Sequence, residues 1–275
     1  MNTMAKNHDL LSDKSQKDIA GQVDTPHLLL EWIESPWDTA VFGFPVLQIT
    51  KMEIRGSEAD IDLRTFETAR DRVGAGLVSC RLSHERLQES MLLEEHGFRF
   101  IEMLYQPELD DLQNKSDLDE TGLDAVTAEE GELPTILDIA GSAFTNERFH
   151  VDPRLDSALG DQRYCNWVQS SLNHPTQRLY MIRNGKQVVA FFVTEMMPDK
   201  TCYWHLNAVA TVAQGQGYGK RAWITMLRLA KEQGAKKVRT SIVARNYRVL
   251  NLYARLGFHF PSPLMTLHWV RDPQT

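Results

Sequence analysis

The chain has 275 residues, 42% hydrophobic and 24% charged, which is the balance of an ordinary globular protein with one large domain or two modest ones. Its net charge of −7 excludes broad electrostatic attraction to nucleic acid or an anionic membrane, so any anionic ligand needs a local cradle. Three cysteines (Cys80, Cys165, Cys202) lie far apart with no CxxC pair, which excludes a disulfide-dense scaffold and matches no metal-ligand spacing. No metal is expected, and a reducing cytoplasm is the default location.

Residues 1–24 are polar, lack the apolar core of a signal peptide, and read as a disordered tail. No later run approaches the ~18 apolar residues of a membrane span. An N-terminal α/β domain is expected over 25–108. Its strand-like runs at 27–33 and 44–49 are joined through residues 37–43. A helix is predicted over 62–73, where Asp60 or Asp62 can cap and Leu63, Phe66 and Ala69 recur on one face. A strand at 76–82, a helix at 84–96 stopped by Gly97, and a strand at 98–105 follow.

Residues 109–121 are acidic and polar, and read either as a linker or as a long surface loop. A second domain then occupies 122–275. Its order is a strand at 123–127, helices at 133–143 and 162–172, and strands at 178–183 and 188–196. The last two are joined by Asn184-Gly185, a hairpin signal. A strand at 202–210, a helix at 218–233, a strand at 237–242, a helix at 247–256 and a strand at 265–270 complete it. Strand, helix, Gly-Phe, strand occurs twice, around Gly97-Phe98 and around Gly257-Phe258. Either two βαβ units agree by chance, or the first half is a degenerate copy of the second.

The most informative stretch runs from Leu206 to Lys220. A strand enters a loop with Gly215, Gly217 and Gly219 at alternate positions, and an amphipathic helix leaves it. Free backbone N–H groups and the positive end of the helix dipole converge there, and glycine lets the backbone approach a phosphate closely. That is a pyrophosphate cradle. A Walker loop is excluded because Lys220 is followed by Arg221 rather than Ser or Thr. A dinucleotide fingerprint is disfavoured because no acid closes the strand at 237–242.

From Val209 to Gly219 the chain resembles the acetyl-CoA signature of the GNAT acetyltransferases, Gln/Arg-x-x-Gly-x-Gly/Ala, with Gln214, Gly217 and Gly219 at the defining positions. Thr211 stands where many members have proline. Downstream, 244–246 and 252–258 resemble the second half of the same signature. The resemblance implies an α/β (α+β) GNAT fold, a central mixed, mostly antiparallel sheet flanked by helices, preceded here by a smaller, degenerate GNAT-like α/β domain. It implies acetyl-CoA as co-substrate, with Val209 and Thr211 on the pantetheine arm. Gln214, Gly215, Gln216, Gly217, Tyr218, Gly219 and Lys220 would lie at the pyrophosphate, and Asn246 would be a further contact. It also implies direct attack by an amine, an oxyanion donor near Val209, and Tyr253 as the acid that protonates the departing thiolate. The base is left between His205 and Glu195.

Residues 35–46, 148–153 and 164–168 resemble the dTDP-fucosamine acetyltransferases, which implies a nucleotide-linked 4-amino sugar as acceptor, as in surface polysaccharide synthesis. Asn146, Arg148 and His150, in the loop before the cofactor strands, and Asn207 are then the candidate acceptor contacts; Arg148 suits a phosphate. The alternatives are a protein or peptide amine, a small polyamine or antibiotic amine, or a non-catalytic acyl-CoA-binding module. By analogy with GNAT domains, a homodimer through the last strand is expected.

Overall fold

The computed structural model describes residues 20–272. Positions 1–19 of the expected tail lie outside the described residues, and Gly21–Asp24 form a strand rather than tail. The chain divides into two compact units, residues up to 100 together with those from 266 onward, and residues 101–265.

The first unit contains β1 (Gly21–Asp24), β2 (Leu28–Glu34), α1 (Pro36–Phe42), β3 (Val46–Ile54), α2 (Ala59–Arg72), β4 (Leu77–Ser83) and α3 (Leu87–Glu95). Strands β1, β2 and β3 are antiparallel in sequence, and β3 runs parallel to β4. Helix α1 was expected to be only a connection. Pro36 sits in its first turn, the Ser35 hydroxyl bonds Asp38 at 2.8 Å, and Gly43 ends it at φ +76° with its N–H on the Thr39 carbonyl. On the predicted face of α2, Leu63 and Phe66 are fully enclosed and Ala69 is half-buried, and Trp32 meets Phe66 edge-on at 5.1 Å.

His96, at the end of α3, is held between two carboxylates of α2, with Nε2 at 2.7 Å from Asp60 and Nδ1 at 3.1 Å from Glu67. Burial disfavours the charged ring, but the two acids outweigh it and raise the His96 pKa above its ordinary 6.5. A raised folded pKa adds stability that is complete below about pH 6.5 and disappears as pH climbs through the folded value. Thermal unfolding should therefore show the wild-type midpoint falling as pH rises above neutrality. His96→Gln should start lower in mild acid and lose that part of the slope.

The second unit begins within β5 (Arg99–Tyr105) and continues through β6 (Glu108–Leu109), β7 (Asp124–Thr127), α4 (Leu133–Ala143), α5 (Arg148–Val151), α6 (Ser157–Ser171), β8 (Gln177–Asn184), β9 (Gln187–Met196), β10 (Thr201–Val209), α7 (Tyr218–Glu232), β11 (Lys237–Thr240), β12 (Ile242–Val243) and α8 (Tyr247–Arg255). β13 (Leu264–Val270) follows, and from Thr266 it belongs to the first unit, beside β4. One edge of the strand through which a dimer was expected is thus taken up within the chain.

The main sheet of the second unit has the order β6-β11-β10-β9-β8-β7. All its pairs are antiparallel except β10 with β11. This is the mixed, mostly antiparallel sheet flanked by helices that the sequence predicts. Phe192, Trp204 and Trp223 pack edge to face on one side, with Phe144 against Phe191 on the other. The segment 109–121 is tied to this unit along its length. Leu112 is fully buried and donates its N–H to Lys236, Gln113 bonds the carbonyls of Lys231 and Ala235, and Thr121 accepts from Arg221. Acidic composition pointed to a linker, whereas these hydrogen bonds make it part of the packed unit. No helix among the described residues is long and apolar enough to cross a membrane. The three cysteines are free thiols, and burial raises the pKa of each.

Candidate active site

Strand β10 opens the site. Its first part pairs with β11 as far as Trp204 opposite Thr240, while its second part pairs with β9 alone. The chain beyond β11 turns away into β12, which pairs with β5. Two parallel strands therefore fork after Trp204. The β9–β10 register shifts between Trp204 and Leu206, so His205 is the extra residue of a bulge. The Ala210 N–H bonds Val189 on the β9 side. Alternation along a strand then turns the Val209 N–H toward the open edge. That is the position expected of an oxyanion donor.

Past Val209 a short 3-10 turn (Thr211–Ala213) leads into the glycine loop. Gly215 and Gly217 have φ +75° and +80°, and a Cβ on either would meet nothing within 4 Å. Gly217 is the N-cap of the 15-residue helix α7 and no side chain caps it. Its first N–H groups have no intrahelical acceptor, and the loop is exposed. Gln214 and Gln216 fold back onto the carbonyls of Val209 and Val212, at 3.2 and 2.7 Å, bracing the loop from within. Tyr218 accepts from Asn184 at 2.8 Å, which ties the β8–β9 turn to the start of α7. Lys220 and Thr211 are exposed. These features fit a pyrophosphate: free donors, a helix dipole, and open space above two backbone positions that side chains would otherwise fill.

Tyr253, on α8, is fully enclosed, with Trp223 and Phe258 as ring neighbours. Burial raises its phenol above the ordinary 10, and the side chains of Trp223, Thr240 and Asn207 partly offset this. Two of those groups place its hydroxyl at the fork, since Thr240 is the last residue of β11 and Asn207, half-buried, lies on the open part of β10. Asn246 caps α8 by accepting the Val249 N–H at 3.4 Å, a role the sequence reading did not give it.

His205 and Glu195 come together, with Nε2 and Oε2 at 2.9 Å. His205 has Tyr203 edge-on at 4.8 Å and Trp167 of α6 at 6.0 Å. The hydrogen bond from His205, and a second from Thr176, hold the Glu195 carboxyl below its ordinary range against the opposing effect of burial.

The remaining candidates are placed differently. Arg148 is buried with its guanidinium 4.6 Å from the Phe149 ring, and His150 is fixed by Asp161 at 3.0 Å against the bare backbone of Gly160. Asn146 is half-buried in the turn before α5. Arg163 is a residue the sequence reading missed. Its guanidinium lies within 5.6 Å of the Phe149, Tyr164 and Trp167 rings. The spacing of Arg163 and Trp167, four apart on one helix, was the available signal. Elsewhere, Glu108, Asp110 and His259 bring one potential ligand atom each within 4.8 Å of one another, but Lys237 and Arg239 pair with these carboxylates.

Residues 133–258 match the Acetyltransferase (GNAT) family, and this part of the chain is a GNAT acetyltransferase domain. A GCN5-related N-acetyltransferase from Sphaerobacter thermophilus shares the fold, with TM-score 0.61 and 14% identity over 88% of this chain and 80% of that one. A tandem GNAT protein from the clavulanic acid biosynthesis pathway does so with TM-score 0.53 and 11% identity over 90% and 80%. The spore coat polysaccharide biosynthesis protein SpsD of Bacillus subtilis (strain 168) is 22% identical over 130 residues. That stretch is 47% of this chain and 45% of SpsD, so the chain spans about half the length of that relative.

Proposed function

We propose that the protein transfers the acetyl group of acetyl-CoA to a primary amine by direct attack, and that the acceptor is the amino group of a nucleotide-linked amino-deoxy sugar. The observation that carries the first part is the fork of β10 and β11 leading straight into an uncapped helix through a positive-φ glycine loop. The bound thioester supplies an activated acetyl group. The N–H groups of residues 215–220 hold its pyrophosphate, and the open edge of Val209 receives the strand-like amide arm. The same edge offers an N–H to the carbonyl oxygen as charge develops there. Tyr253 gives its proton to the departing sulfur, and Asn207 lies beside it at the fork. Glu195 and His205, hydrogen-bonded to each other at 2.9 Å, are the groups that would take the acceptor's proton.

The sugar acceptor is supported by the likeness to SpsD, a polysaccharide biosynthesis protein, and by the arginine-rich turn at α5 and α6. Arg148 and Arg163, whose guanidiniums both lie against the Phe149 ring, are the forked donors that would meet a diphosphate. The test is thiol release from acetyl-CoA with dTDP-4-amino-4,6-dideoxygalactose, spermidine and a lysine-bearing peptide panel side by side. Turnover with the sugar nucleotide alone is the expected result. Turnover with another amine alone replaces the acceptor and leaves the acetyltransferase, whereas binding of acetyl-CoA without any turnover makes the domain an acyl-CoA-binding module.

A further inference from the structure

We propose that His205 is the catalytic base, acting through Nδ1, and that Glu195 is a positioning residue that holds the ring through Nε2; this rests on the acetyltransferase reading above. Sequence alone leaves the two residues equivalent, and the geometry separates them. A carboxylate accepts but does not donate, so the 2.9 Å contact makes Nε2 the protonated nitrogen and leaves the lone pair on Nδ1. The Glu195 carboxylate already accepts from the ring and from Thr176. The His205 side chain is only 4% exposed, yet no described protein group hydrogen-bonds its Nδ1. A buried imidazole nitrogen with its lone pair kept free is the arrangement a base requires.

Placement supports the same division. The bulge puts His205 immediately after the last β10–β11 pair, and the Tyr253 hydroxyl is flanked by Thr240 and Asn207, on either side of that point. Base and acid thus both lie at the fork of β10, His205 toward Trp167 of α6 and Tyr253 toward Trp223 of α7. The charged and titratable groups around the ring are few. Glu195 comes from β9, and His174 from the turn before β8 acts on Glu195. Arg163 of α6 lies behind Trp167, Tyr203 is on the strand itself, and the single acid of α4, Asp138, is exposed. The step balances: Nδ1 takes a proton from the acceptor ammonium, the nitrogen–carbonyl bond forms, the carbon–sulfur bond breaks, and the sulfur takes the Tyr253 proton. The products are an amide and a thiol. Both residues are reset when the imidazolium proton passes to the phenolate through solvent and the proton released by the acetylated nitrogen leaves to bulk.

The experiment is kcat/KM against pH for wild type, Glu195→Gln and His205→Gln, using whichever amine of the panel turns over, beside [15N]histidine spectra of the whole protein. The wild type should lose activity as pH falls. His205→Gln should lower kcat about 100-fold or more and abolish that acid limb, with the acetyl-CoA KM unchanged. Glu195→Gln should keep the acid limb and lower kcat on the order of 10-fold, again with the acetyl-CoA KM unchanged, because the ring loses its orienting acceptor. Spectra should show His205 with hydrogen on Nε2 in wild type. An acid limb that survives in His205→Gln, or a His205 carrying its hydrogen on Nδ1, overturns the base role alone. Failure of wild type to acetylate any amine overturns it together with the acetyltransferase reading.

Discussion

Replacing Tyr253 with phenylalanine should lower kcat by on the order of 100-fold while leaving acetyl-CoA affinity within about twofold. The substitution removes one oxygen from a fully enclosed ring, so the packing against Trp223 and Phe258 stays. What disappears is the proton beside Asn207 and Thr240 at the fork. A thiol near 8.5 lies below a phenol near 10, which suits late transfer as the thiolate forms. Burial pushes Tyr253 upward and acts in the same direction on a thiolate emerging into the same space. Thiol-release kinetics and titration of acetyl-CoA read the two quantities separately. Equal losses in both would show that the ring, and not its proton, is what matters.

The second large effect is at the loop. Gly217→Val should raise the acetyl-CoA KM about 10- to 100-fold, which is ~1.4–2.8 kcal/mol of binding, with saturating kcat near that of wild type. A Cβ there meets no protein atom within 4 Å, so the protein itself bears only the strain of a left-handed residue, ~1–2 kcal/mol. The rest falls on whatever occupies the space over the N-terminus of α7. Gly234, just past the other end of α7 at φ +83° and equally unobstructed, is the control. Gly234→Val carries the same backbone strain and should leave KM alone. Equal effects of both variants on KM would remove the loop from cofactor binding.

Much of this was legible in the chain because the signals were local. The glycine spacing of 215–219, the Asn184-Gly185 turn and the amphipathic period of α7 each depend on a few neighbouring residues, and each formed where expected. α1 was missed although Ser35, Pro36 and Gly43 spelled a start and a stop, because its seven residues are too few for a period to emerge. α6 begins at Ser157 rather than at 162, since the Asp156 cap bonds the Ala158 N–H and overrides the interruption by Gly160. Residues 109–121 looked like a linker by composition, but Leu112, Gln113 and Thr121 find their partners 100 or more positions later, and no local pattern records that. The pairing of His205 with Glu195 depended on register across β9 and β10, and the bulge that sets it has no sequence mark.

The last strand gives the protein an order of completion. The first unit holds residues up to 100 and again from 266, so the whole second unit is an excursion between two parts of one sheet. Arg81 must wait for Thr266, and Arg70 for Trp269, which stacks under its guanidinium at 3.8 Å. Contacts of such long sequence separation form late, since closing the intervening loop costs entropy before any contact rewards it. On a ribosome the amino-terminal unit, first to emerge, is therefore the last to be finished. Until then β4 carries a bare edge, although Met265, the last residue of the second unit, has already been made.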